Sequence, residues 1–558
     1  MTERRLYFAA LAFCALCVAY FYVLDRGLFS SARFSPIFRF LLLSYDAKAA
    51  WLVLGVCVLA GFWNRPTPMV RFADLIGEHP FGLALASAAA IGAVAVVVYR
   101  RYPLSMDEYA AILQSKIFAS GRIYAQLPHD LVDWLVVRGF NGSFLIASHD
   151  SGKTIEAYWP GFALLLTPFQ FLHVAWLCNA LVSGLALYLI FWITREITGD
   201  QRAAGWAMLF TLASSAFIAN GLSYYSMQAH LTANLLFVAL LIRPSQYRAL
   251  GAGLLGSLAL MLHNPVPHTL FAIPWIVALA VQRQKRSLLL PLLAGYLPGL
   301  AIGFLWLTLR SELSAGGEKL IALNSIAVGA FAWPDAALIN MRSAALVKMW
   351  VWAMPCLFAL ALLGGAKCRG DWRVRLMVWS GTITFVGYLF VRFDQGHGWG
   401  YRYFHSAWGT IPILAGCAMS HKGQVSPRLV SFAGATAGLS LLFLVPLQLA
   451  QIDQFVSQHL AQLGPPRRPG NNIYFIHPQG GFYVADMVQF DPLLRANDLL
   501  LVSHGNALDE QLVLLNWPHA TKVRAGRAAD QWYLGSADQR IQFQDGVGKR
   551  FTITQVPR

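Results

Sequence analysis

The apolar residues of this chain are gathered into blocks of roughly 15 to 22, the length at which a helix crosses the hydrocarbon core of a bilayer. The blocks fall near 6–24, 41–62, 81–99, 174–194, 203–220, 230–242, 250–264, 268–281, 288–309, 346–365, 374–391, 406–420 and 429–449. They predict a polytopic α-helical membrane protein with about thirteen transmembrane helices. Composition agrees: 57% of the 558 residues are hydrophobic and 13% are charged, against roughly a quarter charged in a soluble domain. A soluble fold could not cover its surface with so few charges. The first block follows Arg4 and Arg5 and ends without a small-residue cleavage site, so it reads as a retained helix.

The net charge of +16 follows a positive-inside pattern, with anionic lipid headgroups as its partner and no nucleic acid. Alternate loops carry Arg195 and Arg202; Arg243 and Arg248; Arg283, Lys285 and Arg286; Lys367, Arg369, Arg373 and Arg375; Lys422 and Arg428. These five place the N-terminus in the cytoplasm, against one dissenting loop that holds Arg26, Arg33 and Arg39. The 100–158 segment, the 310–345 loop and the chain after about residue 450 then face the periplasm. Cys14, Cys17, Cys57, Cys178, Cys356, Cys368 and Cys417 read as small buried apolar residues, without metal or disulfide spacing.

Four regions follow. Residues 1–99 are N-terminal transmembrane helices. Residues 100–173 form a large loop with interfacial helices, and 174–450 form the main bundle. Residues 451–558 form a small periplasmic α/β domain, reached through the linker Gly464-Pro465-Pro466-Arg467-Arg468-Pro469-Gly470. In that domain 472–477 and 499–503 read as strands and 482–494 as a helix.

The chemistry-bearing residues lie on the expected outer side. Asp107 and Glu108 stand together in Ser105-Met106-Asp107-Glu108-Tyr109, and an adjacent carboxylate pair can supply a general base. Read alone, the same residues are an N-cap followed by acids favoured in a first helical turn. The 110–124 stretch reads as an amphipathic helix in the interface plane. Tyr158-Trp159-Pro160-Gly161 marks an aromatic belt and a helix break. Tyr224-Tyr225-Ser226-Met227-Gln228-Ala229-His230 reads as an outer loop. Arg392, His397, Tyr401 and Arg402 belong to a glycine-rich loop, Arg392-Phe393-Asp394-Gln395-Gly396-His397-Gly398-Trp399-Gly400-Tyr401-Arg402-Tyr403. Glycine-turn amides and paired arginines suit a phosphate; a snorkelling rim is the bland alternative. The histidines lack metal spacing, and no cofactor is called for. A divalent cation on Asp107 and Glu108 stays open.

In this order the motifs resemble the GT-C superfamily of polyprenol-linked glycosyltransferases, and most closely the protein O-mannosyltransferase (glycosyltransferase family 39) and aminoarabinose–lipid A transferase group. The residues that carry the resemblance are Asp107-Glu108-Tyr109 with Ala119-Ser120-Gly121-Arg122, then Tyr158-Trp159-Pro160-Gly161, then Gly400-Tyr401-Arg402-Tyr403. They span about residues 100–420. The resemblance implies a bacterial inner-membrane hexosyl- or pentosyltransferase with a large first catalytic loop. It would move sugar from a polyprenyl-phosphate donor to a glycolipid, polysaccharide or protein hydroxyl. Asp107 or Glu108 would be the base, and Arg402, Arg392, Arg310 and His397 would meet the donor phosphate. Tyr109, Tyr158, Trp159, His230 and Tyr401 would bind substrate. Two features depart from the family: extra helices precede the acidic loop, and His263-Asn264-Pro265 lacks an expected arginine. A transporter or flippase is the competing class, disfavoured by the scarcity of carboxylates within the spans. A structural assembly subunit is a third reading, and it leaves the acidic loop idle.

Overall fold

The computed structural model describes residues 3–27, 33–314, 331–420, 425–464 and 469–535; most of the interdomain linker and the middle of the 310–345 loop lie outside them. The chain is mostly helical, with a small sheet domain toward its C-terminus. Among the described residues six helices are long and apolar enough to cross a membrane: Arg4–Asp25, Pro36–Phe62, Pro80–Val97, Ala175–Thr198, Arg283–Leu313 and Pro427–Ala461. A seventh candidate is the pair Gln201–Leu212 and Ser215–Leu222, bent by 63°. Gly161–Phe171, Met227–Leu241, Val266–Val281 and Leu357–Lys367 are shorter apolar helices. All thirteen apolar blocks coincide with helix, although several helices fall short of span length.

The block at 346–365 is two helices, Ala336–Val351 and Leu357–Lys367. Pro355 lies between them and removes the amide that a continuous helix needs. An additional helix, Pro66–Glu78, turns Ala73, Ile76 and Gly77 inward and is tied by Arg202 Nη2 to Asp74 Oδ2 at 2.8 Å. Its mixed composition hid it among the loops of the sequence.

The chain forms two compact units. The helical unit comprises Met1–Tyr99, Trp176–Ile302 and Asn324–Ile452. Small residues let its helices meet closely: a Cβ on Gly253 would strike the Leu292 carbonyl oxygen, and one on Gly295 would strike that of Leu250. Such reciprocal contact between helix backbones is how apolar helices gain dispersion energy where there is no water to expel. This unit also encloses an ion pair. Lys348 Nζ lies 2.6 Å from Asp46 Oδ2, with both side chains 1% exposed, and Trp352 Nε1 donates to Asp46 Oδ1 at 2.6 Å. Asp46 ends a π-helical turn, Leu42–Asp46, the kind of local widening often found at functional sites.

The mixed unit comprises Arg100–Ala175, Gly303–Leu323 and Asp453–Arg558. Its first part contributes the helix Met106–Ala119 and a three-stranded antiparallel sheet. The strands are β1 (Ala125–Gln126), β2 (Leu145–Ala147) and β3 (Lys153–Glu156), in the order β1-β3-β2. The tail contributes β4 (Asn471–Ile476), β5 (Asp498–Val502), β6 (Thr521–Arg524) and β7 (Ala529–Gly535), in the order β5-β4-β7-β6. Among these four strands β4 and β5 pair in parallel, and β4–β7 and β6–β7 pair antiparallel. The expected helix at 482–494 is a short 3-10 turn, Val484–Met487, entered through Tyr483 at φ 62° and followed by Pro492, which blocks helical continuation. Among the described residues beyond the linker, the α-helix is Asn506–Asn516 instead.

One apolar core joins the two parts. Tyr109, Leu113 and Ile117 of the first helix pack in a single cluster with Trp134, Ile473, Phe475, Leu501, Leu512 and Trp532. The 106–119 helix therefore has no solvated face. Gln114 and Ser115, which the sequence pattern put on a polar side, are fully buried.

Candidate active site

The carboxylate group lies in the mixed unit. Ser105 occupies the N-cap position of the 106–119 helix with extended backbone, and its side chain makes no cap hydrogen bond. Carboxylates take the open amides instead. Glu108, completely buried, turns back so that Oε2 accepts from Leu104 N at 2.8 Å. Asp486, from the tail, accepts from Met106 N at 2.7 Å. Asp107 is partly buried and accepts a hydrogen bond from the Tyr158 hydroxyl through Oδ1. An acid in a first helical turn is favoured by the helix dipole, so backbone and Tyr158 together hold Asp107 as an aimed carboxylate.

The aromatic motif is fixed by the helix that ends at Leu313. Trp306 Nε1 donates to the Tyr158 carbonyl at 2.6 Å, and the Trp159 ring fills the space that a Cβ on Gly303 would take. Tyr109 reaches the tail, where its hydroxyl donates to the Phe490 carbonyl. Glu156, at the end of β3, is 1% exposed. Burial holds its carboxyl well above the usual carboxylate range, partly offset by the Arg310 charge. Among the described residues Glu156 Oε1 and Arg310 Nε have no hydrogen-bond partner. An acid kept neutral beside a guanidinium can both donate to and accept from a hydroxyl.

The cation group lies in the helical unit. Glycines at positive φ (Gly396 at 63°, Gly398 at 141°, Gly400 at 66°) curl the 392–401 loop around the side chain of Arg402. Gly398 is required there, because a Cβ would strike the Arg402 side chain. Gln395 binds Arg402 twice: its Oε1 accepts from Arg402 N at 2.8 Å, and its carbonyl accepts from Arg402 Nη2. The guanidinium lies over the Tyr225 ring, 4.0 Å from its centroid, and Tyr225 Oη is 2.8 Å from His397 Nδ1. Arg402, His397 and Tyr225 are thus brought into one cluster, and Tyr401, the residue before Arg402, is buried. Arg392 is exposed.

His230 sits in the first turn of the Met227–Leu241 helix rather than in a loop. It is fully buried, and among the described residues its ring nitrogens have no hydrogen-bond partner. Sequence reasoning missed Arg342, whose Nη2 donates to the Phe393 carbonyl at 2.7 Å and anchors the glycine loop. It also missed Glu156 and Asp486, for which no local motif exists. Among the described residues no three or more His, Cys, Asp or Glu side chains are grouped to hold a metal ion.

No protein-family model matches the chain, and no curated protein matches it. Similar solved structures include ArnT from Cupriavidus metallidurans bound to undecaprenyl phosphate, at 14% identity and a TM-score of 0.52. That match covers 81% of this chain and 97% of that one. ArnT from the same organism in the apo state aligns over the same shares at 13% identity and a TM-score of 0.49. The first of these likenesses establishes a shared fold.

Proposed function

We propose that the chain is an integral membrane glycosyltransferase of the GT-C type, which moves a sugar from a polyprenyl-phosphate donor to an acceptor hydroxyl. The observation that carries this reading is Asp107, aimed from a helix start by Tyr158, within a fold shared with a protein solved bound to undecaprenyl phosphate. In the proposed step Asp107 takes the proton of the acceptor hydroxyl as its oxygen bonds to the anomeric carbon. The bond from that carbon to the phosphate oxygen breaks, and polyprenyl phosphate leaves. A single displacement inverts the anomeric centre. Glu108 holds the helix start, and Arg402, with Arg392, Arg310 and His397, neutralises charge on the departing phosphate. Tyr109, Tyr158, Trp159, His230 and Tyr401 shape the substrate site. The proposed setting is a bacterial inner membrane, with the N-terminus cytoplasmic and both the 100–173 segment and the tail periplasmic.

One observation favours the transporter reading, namely the Asp46–Lys348 pair enclosed among apolar helices, since ionisable groups there are costly and often functional. A panel of radiolabelled polyprenyl-phosphate sugars, presented to membranes holding wild type, Asp107→Asn or Glu108→Gln, separates the two. Label transfer by the wild type, abolished by Asp107→Asn, supports the enzyme; full activity in both variants removes the mechanism.

A further inference from the structure

Beside the apolar core that it shares with the acid-bearing helix, the tail makes a run of polar contacts through one short segment, 486–491, and that segment grips the helix along more than two turns. Asp486 Oδ1 accepts from Met106 N at 2.7 Å. Gln489 Nε2 donates to the Pro103 carbonyl at 2.7 Å. The Phe490 carbonyl accepts from the Tyr109 hydroxyl, and the two rings meet edge-on with centroids 6.1 Å apart. Asp491 Oδ1 lies 3.7 Å from Lys116 Nζ. The contacts to Pro103 and Met106 are on backbone groups just before Asp107, so they fix where the helix starts and where its first carboxylates point.

From this geometry we infer that Asp486 is a positioning residue of the carboxylate site: the tail supplies a third acid that caps the 106–119 helix and holds Asp107 and Glu108 in place. The inference rests on the reading of Asp107 as the reactive base. It gives the tail a part in catalysis that the sequence alone did not suggest.

The electrostatics follow from the placement. Burial, with the nearby charges of Asp107 and Glu108, pushes the Asp486 carboxyl up to about 7, against the pull of the Met106 amide and the Tyr483 hydroxyl. Tyr102 faces the same carboxyl and is held protonated by burial and by its charge. The His459 ring packs against both Tyr102 and Tyr483, at 6.3 and 5.9 Å. Below about pH 7 Asp486 is neutral, and Asp107 and Glu108 stand beside an uncharged cap. Above it the cap itself carries a negative charge.

The test uses full-length protein in lipid nanodiscs, first without any sugar donor. Infrared difference titration should show a buried carboxyl losing its proton near pH 7. Asp107→Asn, which removes a neighbouring charge, should move that band to lower pH, and Asp486→Asn should delete it. Hydrogen exchange of the first-turn amides of 106–119 should speed up at least tenfold in Asp486→Ala, which has no acceptor. It should stay near wild type in Asp486→Asn, which keeps one. With an active donor, Asp486→Asn should remove the inflection near pH 7 from kcat while leaving KM within about twofold. A wild type with no carboxyl titrating between pH 6 and 8, or unchanged exchange in Asp486→Ala, overturns the inference. Because the titration and the exchange need no substrate, absence of transfer from every donor would count against the proposed function and leave this result standing.

Discussion

The helical unit and the mixed unit both bury carboxylates, and they do it differently. In the helical unit Asp46 has a lysine at 2.6 Å and an indole donor at 2.6 Å. In the mixed unit Glu156 is just as hidden, yet among the described residues Oε1 has no partner and Arg310 acts on it only at longer range. A charge taken from water needs an opposite charge and well-placed donors, or it gives way to the neutral form. Asp46 meets the first condition and Glu156 takes the second route. The contrast separates a carboxylate committed to the fold from acids left available for chemistry.

The largest expected effect concerns the available side. Asp107→Asn should lower sugar transfer by about 10²–10⁴-fold, the usual worth of a general base, with thermal stability unchanged because Asn still accepts from Tyr158. Next comes the committed side. Lys348→Met should destabilise the protein by about 3–5 kcal/mol, since it strands a buried charge, and a fluorescence-detected melt in detergent would read it. The double variant Asp46→Leu with Lys348→Met should regain most of that loss while keeping transfer. If it abolishes transfer instead, the pair belongs to function and the contrast fails.

Arg402→Lys comes third. It keeps the charge and loses the planar fork held by Gln395 and Tyr225. A lost hydrogen bond to a charged group is worth about 1.5–3 kcal/mol, so KM for the donor should rise by roughly tenfold or more. The smallest effect is at Glu156. Its carboxyl is held well above the usual range, so folding favours its protonated form. The stability this brings is complete below the ordinary glutamate value and declines as pH rises through the folded value. Glu156→Gln should therefore change stability at pH 4 by about 1 kcal/mol or less. It should also flatten the decline toward alkaline pH in melts across the range.

The helices were the most legible part of the sequence, because composition and length alone mark a membrane-length apolar run. Pro355 shows the limit: its block reads as one span, and the break is visible only when the lost amide is counted. Strands of two to four residues, such as β1 and β2, are too short to show alternation. The Asp107-Glu108 pair and the glycine loop were visible as local motifs. Asp486 was not, since 380 positions separate it from the amide it caps. Likewise Lys348 stands 302 positions from Asp46. Sequence spacing along a helix or strand carries information about near neighbours, and these partners are set by the tertiary fold.

The core shared by the 106–119 helix and the tail strands also imposes an order in time. Leu113 and Ile117 leave the ribosome long before Ile473, Phe475 and Trp532, the residues that cover them. At about 5–20 residues per second, the helix waits roughly 20–70 seconds for its cover. During that interval it presents bare leucine and isoleucine, and a nascent chain stalled before β4 would hold an open apolar groove that a holdase or protease could recognise.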